Sequence, residues 1–113
     1  MFLGIDLGTS GLRALLVNAE GVPVGSTERH YGVSNPHLGW SEQDPADWIA
    51  ALDGAVEEMR ARYPAFSDIR GIGVAGQMHG ATLLDKKGCV LRPCIFWNDS
   101  RLHQQAERLD STD

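Results

Sequence analysis

Short apolar runs alternate with polar or glycine-rich segments through the first thirty residues. Residues 2–6 and 12–17 form two short, mostly apolar runs, and Gly-Thr-Ser-Gly at 8–11 joins them, which predicts a β-hairpin with a loop longer than two residues. The second run is apolar at consecutive positions, so we expect both of its faces to be covered. Residues 22–30 predict a third strand, and Pro23 favours an edge position because proline cannot donate to a β-ladder.

A helical period follows a polar stretch. Residues 35–43 have the composition of a loop, and Asp44 then Pro45 predict the N-cap and first residue of a helix that Pro64 ends. We expect this helix to span 45–62. The apolar side chains at helical spacing are Trp48, Ile49, Leu52, Val56, Met59 and Tyr63.

The remaining pattern predicts a strand at 69–75, a loop at 76–80, a hairpin of 81–84 with 89–91, and an apolar stretch at 94–97. A last helical pattern runs to the chain end, so the chain is expected to be truncated. Its apolar stripe could support self-association. The stripe consists of Leu102, Ala106 and Leu109.

Three antiparallel strands, a crossover helix and a returning strand predict an α/β fold with a mixed sheet and flanking helices. A chain of 113 residues has room for about one domain, and its net charge of -5 argues weakly against nucleic acid or an anionic membrane as a partner. There is no apolar run of the ~18 residues that span a membrane and no secretory signal pattern. We therefore expect a cytoplasmic protein.

The loop at 8–11 carries more polar groups than a tight turn needs. Backbone N–H groups of a glycine-rich turn can bind an anion, the hydroxyls of Thr9 and Ser10 add donors, and the carboxylate of Asp6 can hold a magnesium ion. The pattern is therefore typical of a site for the phosphates of a nucleotide. The alternative is that Gly8 and Gly11 only shape the turn while Asp6 accepts its N–H groups.

Four segments together resemble a known family: "GIDLGTSGLR", "PHLGWSEQDP", "GIGVAGQMHGATLLD" and "RPCIFWNDSR". They are similar to the amino-terminal region of the FGGY family of carbohydrate kinases over nearly the whole chain. The resemblance implies a ribonuclease H-like, actin-like ATPase core with two domains around a cleft. Residues 1–113 would be the amino-terminal part of the first domain, with the rest of that domain and the second domain absent.

The resemblance also implies roles for individual residues. Asp6 would be catalytic and would help to hold magnesium. The cofactor-binding residues would be Gly8, Thr9, Ser10 and Arg13, although a surface arginine is an equal alternative for Arg13. Sugar-binding residues would be Gln77, Met78, His79, Trp97, Asn98 and Asp99. The alternatives are a solvated His79, a core Trp97 and an Asp99 that only caps a helix.

The implied reaction is transfer of the γ-phosphoryl group of MgATP to a sugar hydroxyl. D-xylulose is the expected acceptor, and ribulose, fuculose, gluconate or glycerol are the alternatives. The family's catalytic base lies outside this chain, so we expect the chain alone to be inactive. A non-enzymatic actin-like nucleotide-binding protein is the alternative from another class, but it gives no reason for the Gln-Met-His-Gly segment at 77–80.

Overall fold

A computed structural model describes residues 1–77, 80–96, 99–101 and 107–109. These residues belong to two compact units, one of Met1–Gly32 and Ala46–Gln77, the other of Val33–Pro45 and Met78–Asp113. The elements, in chain order, are β1 (Phe2–Leu7), β2 (Gly11–Val17), β3 (Pro23–His30), β4 (Glu42–Gln43), α1 (Pro45–Arg62), a 3₁₀ helix (Pro64–Asp68), β5 (Gly71–Gly76) and β6 (Cys94–Ile95). Within the described residues, no helix is both long and apolar enough to cross a membrane.

The first unit contains a mixed four-stranded sheet in the order β3-β2-β1-β5. β1 and β2 form the predicted antiparallel hairpin, and β3 lies at the edge, as the proline in it predicts. β5 returns parallel to β1 after α1, with Leu7 opposite Gly76 at the end of both strands. The mixed sheet with a crossover helix is confirmed.

One face of this sheet packs on α1. Leu3 of β1 and alternate residues of β2 are buried, because successive side chains of a strand point to opposite faces. The helix contributes residues spaced four apart, which lie on one side of an α-helix. They are Ala51, Ala55 and Met59.

The bounds of α1 agree with the prediction, but its buried face is not the predicted one. Ile49 is 59% exposed, so its assignment to the apolar face is wrong. Two alanines occupy the centre of the contact instead, and their short side chains carry little weight in a hydrophobic pattern. The expectation that β2 is covered on both faces is also wrong for the described residues, since Arg13 is exposed and Leu15 only half-buried.

The second unit contains a strand pair that the sequence did not predict. Glu42 pairs with Ile95 and Gln43 with Cys94, so the stretch read as a loop ends in a buried strand. The polar composition of β4 is not typical of a buried strand, and its partner β6 lies about fifty residues further along the chain.

The predicted second hairpin is reduced to a tight turn at 85–88 and one antiparallel bridge between Leu84 and Val90. The last predicted helix lies mostly outside the described residues. Of its apolar stripe, only Leu109 is described, and it is exposed.

Candidate functional site

Three charged side chains form a row across the first sheet. Asp6 at the end of β1 is opposite Arg13 in β2, and Arg13 is opposite Glu28 in β3. Directly opposite residues lie on the same face of an antiparallel pair, so the arginine sits between two carboxylates. Its Nε lies 2.9 Å from Oε1 of Glu28, and this hydrogen bond, together with the charge of Arg13, lowers the pKa of Glu28.

The loop after β1 is a closed turn. The N–H of Gly8 donates to the carbonyl of Gly11 at 2.9 Å, and Thr9 and Ser10 at the centre are exposed. A Cβ on Gly11 would lie 2.5 Å from the carbonyl oxygen of Arg29, so β3 excludes any side chain there. A Cβ on Gly8 would lie 3.1 Å from the carbonyl oxygen of Gly11. A side chain at either position would therefore crowd the backbone, more severely at Gly11 than at Gly8.

Tyr31, which the sequence analysis missed, holds this loop. Its hydroxyl donates to the carbonyl of Gly8 at 2.5 Å, and its backbone N–H donates to the carbonyl of Ser10 at 3.1 Å. Burial raises the pKa of the Tyr31 hydroxyl, and the charge of Asp6 adds to the effect. Only the pairing of β2 with β3 brings this tyrosine to the loop, and no local pattern reveals it.

Gln77 follows β5 at the same sheet edge. Because β5 runs parallel to β1, residues after Gly76 leave the sheet where those after Leu7 leave it. Both atoms of the Gln77 amide are buried, and neither has a hydrogen-bond partner in the part of the chain that the structure describes. A buried amide without a partner is costly, which favours a ligand contact. Met78 and His79 lie outside the described residues.

Asp99 lies in the second unit, and its side chain is fully buried. Oδ2 accepts the N–H of Ser41 at 2.6 Å and Nη2 of Arg101 at 2.7 Å, and Oδ1 accepts the N–H of Arg101 at 2.8 Å. The side-chain hydrogen bond from Arg101 is the main reason that the pKa of Asp99 falls to about 2, against an opposing effect of burial. Both oxygens are thus engaged within the chain, which favours a structural role.

Arg101 extends this network. Its guanidinium donates to Oε2 of Glu42 at 2.9 Å and lies 3.7 Å from the ring centroid of Trp40. Arg92 donates to the same carboxylate oxygen at 3.0 Å. The buried charge of Glu42 is therefore compensated by two arginines. Trp97 and Asn98, the other candidate sugar ligands of this segment, lie outside the described residues.

The whole chain, residues 1–113, matches the FGGY family of carbohydrate kinases, N-terminal domain. The chain belongs to this family. It is 49% identical over 110 residues to a xylulose kinase of Klebsiella pneumoniae, a match that covers 97% of this chain and 23% of that protein. The chain therefore spans about a quarter of the length of the curated relatives it matches.

Solved structures of sugar kinases also resemble this chain. A crystal structure described as a xyloylose kinase from Brucella ovis shares 57% identity with a TM-score of 0.93, and covers 96% of this chain and 23% of its own. The xylulose kinase from Rhodospirillum rubrum shares 34% identity with a TM-score of 0.90, over 98% of this chain and 23% of its own. The expected actin-like, ribonuclease H-like fold of a partial FGGY domain is confirmed.

The resemblance to FGGY kinases implies a magnesium ion near the loop at 8–11. The described residues contain no group of three histidine, cysteine or carboxylate side chains that could hold a metal ion. Asp6 is an exposed single carboxylate at the end of its strand. Magnesium commonly binds through one or two carboxylates, water and substrate phosphates, so the site fits this ion when a nucleotide is present.

Proposed function

We propose that the chain is the amino-terminal part of an ATP-dependent xylulose kinase, which phosphorylates D-xylulose to D-xylulose 5-phosphate. The observation that carries the proposal is the meeting of three features at one sheet edge. Asp6 is the second-last residue of β1, the glycine-rich loop follows β1, and Gln77 follows the parallel strand β5. The buried amide of Gln77 has no hydrogen-bond partner among the described residues. Ligands of α/β sheets commonly bind outside the carboxyl ends of the strands. The relatives named above support xylulose as the acceptor.

The nucleotide half of the site is proposed as follows. The loop at 8–11 binds phosphate through its backbone and through the exposed Thr9 and Ser10. Asp6 helps to hold magnesium, which supplies neutralisation of the phosphate charge when bound. Arg13 lies on the next strand. When phosphate binds, its guanidinium contacts the phosphate oxygens instead of Glu28.

For the sugar half, we propose Gln77, Met78 and His79 on one segment, and Trp97 and Asn98 on the other. The amide of Gln77 can donate to one sugar hydroxyl and accept from another. Asp99 is assigned an indirect role, because its carboxylate is occupied by Ser41 and Arg101. It fixes the backbone that follows the second segment.

In this proposal the catalytic base lies elsewhere in the longer protein, so the 113 residues alone are inactive. We place the kinase in the cytoplasm, where ATP is available. Self-association through the stripe at Leu102, Ala106 and Leu109 remains part of the proposal, and light scattering of the isolated chain tests it. A clean monomer at high concentration would count against it.

The test is a coupled assay of ADP release by the full-length kinase over D-xylulose, L-ribulose, L-fuculose, gluconate and glycerol. D-xylulose should give the highest kcat/KM. The variant Asp6→Asn should lose activity on every sugar, and His79→Ala should lose it mainly through the KM for the sugar. A preference for another acceptor would contradict the assigned substrate while leaving the role of Asp6 intact.

A further inference from the structure

We propose that Tyr31 is a positioning residue for the phosphate-binding loop, which it holds at both ends in the orientation that receives ATP. The inference rests on the proposed function of residues 8–11. Tyr31 belongs to neither strand of the hairpin that carries the loop, and it makes two hydrogen bonds to it. One is from its hydroxyl to the carbonyl of Gly8 at 2.5 Å, and the other is from its N–H to the carbonyl of Ser10 at 3.1 Å.

These contacts fix the direction of two peptide groups. In a planar trans peptide, the C=O of one residue and the N–H of the next point in opposite directions. When the carbonyls of Gly8 and Ser10 face Tyr31, the N–H groups of the residues that follow them must face away from it. A loop that binds an anion depends on the direction of its N–H groups, so Tyr31 acts on the property that phosphate recognition requires.

The tyrosine is itself well anchored. It follows directly after His30, the last residue of β3, and its half-buried ring packs against the core formed by the sheet and α1. The bond from its N–H to Ser10 continues the β2–β3 ladder by one position beyond the paired Gly11 and His30. The loop is thus attached to a rigid part of the unit.

The hydroxyl is also suited to remain a donor. Burial and the charge of Asp6 raise the pKa of Tyr31, so the group keeps its proton at neutral pH.

The experiment compares Tyr31→Phe with Tyr63→Phe in the full-length kinase. Phenylalanine preserves the ring of Tyr31 and removes only the donor to Gly8. Tyr63 is a matched control, because its half-buried ring packs on the same core and against Gly25 rather than on the loop. We expect Tyr31→Phe to lower kcat/KM for ATP about fivefold, the effect of one lost neutral hydrogen bond, with KM for the sugar unchanged. Tyr63→Phe should leave both values near those of the wild type.

Amide hydrogen exchange of a peptide covering residues 7–12 gives a second measurement that does not depend on turnover. Exchange should be faster in Tyr31→Phe and unchanged in Tyr63→Phe. Unchanged exchange, an unchanged kcat/KM for ATP, or an equal loss for ATP and sugar would each overturn the positioning role. If the wild-type kinase phosphorylates none of the five acceptors, the proposed function fails, and hydrogen exchange alone then decides whether Tyr31 orders the loop.

Discussion

Replacing Asp99 by asparagine tests whether this residue stabilises the second unit, as its geometry indicates. The carboxylate accepts from four donors, which are the N–H of Ser41 and the backbone N–H, Nε and Nη2 of Arg101, and Nε is shared between its two oxygens. An amide has only one acceptor oxygen. Whichever way it is turned, its NH₂ group faces donors, so at least two of these bonds are lost and replaced by a donor–donor contact.

The lowered pKa of Asp99 and the burial of its ion pair with Arg101 both set the expected loss of stability. A carboxyl whose pKa falls from 3.8 to about 2 is stabilised as the anion by about 2 to 3 kcal/mol. Breaking one partner of a buried ion pair typically costs about 3–5 kcal/mol, and the guanidinium of Arg101 is only 10% exposed. Glu42 remains as a partner for Arg101 and limits the loss. We therefore expect Asp99→Asn to lower the free energy of unfolding by about 3 kcal/mol.

Urea unfolding followed by circular dichroism measures this loss, and Asp85→Asn is the matched control. Asp85 lies in the same unit, is exposed and accepts the N–H groups of Lys87 and Cys89 through Oδ1, which an amide oxygen can replace. Because the pKa of Asp99 is lowered on folding, its contribution is present above about pH 4 and is lost as the pH falls toward 2. The difference in the free energy of unfolding between Asp99→Asn and the wild type should therefore become smaller in acid. An Asp99→Asn midpoint equal to that of Asp85→Asn at pH 7 would refute the structural role.

Two further predictions concern the loop and its charged row. Gly11→Ala places a Cβ 2.5 Å from the carbonyl oxygen of Arg29 and should lower the free energy of unfolding by about 1–3 kcal/mol. Gly73→Ala, whose Cβ would have no described atom within 4 Å, should be neutral in the same urea titration. Equal midpoints for the two variants would contradict the close approach of β3 to the loop. Arg13→Gln should lower kcat/KM for ATP about tenfold through loss of a charge-assisted bond, while Glu28→Gln, which frees the same exposed arginine, should not lower it. A fall of equal size in both variants would show that their ion pair, rather than a phosphate contact, matters.

The first unit could be predicted largely from local sequence. The hairpin of β1 and β2 follows from two apolar runs around a glycine-rich loop, and the edge position of β3 follows from Pro23. Pro45 is the first residue of α1, because proline is well tolerated at the first position of a helix. Pro64 follows the end of α1, because proline disrupts the interior of a helix. In each case, the physical cause lies within a few residues of the effect.

The second unit could not be predicted in this way, because its causes are distant in sequence. Glu42 would be unfavourable in a buried strand without the guanidinium groups of Arg92 and Arg101. The sequence around residue 42 gives no indication of these two arginines, which lie about fifty to sixty residues further along the chain. The alanines of α1 were missed for a different reason, since close packing against the sheet favours small side chains that a hydrophobic pattern ranks low.

The same distinction separates the chemistry of the candidate site from its geometry. The acid, glycines and hydroxyls of the proposed phosphate site all lie within residues 6–11, so a short segment of sequence is enough to suggest this chemistry. The directions of the loop peptides depend on Tyr31, and the surroundings of Arg13 depend on Glu28. The register of β3 on β2 places both of these residues. A one-residue slip of that register would reverse the faces of all its side chains and remove Glu28 from Arg13. The edge strand carries none of the site residues predicted from sequence, yet its register sets the surroundings of Arg13 and of the loop that we propose to bind a nucleotide.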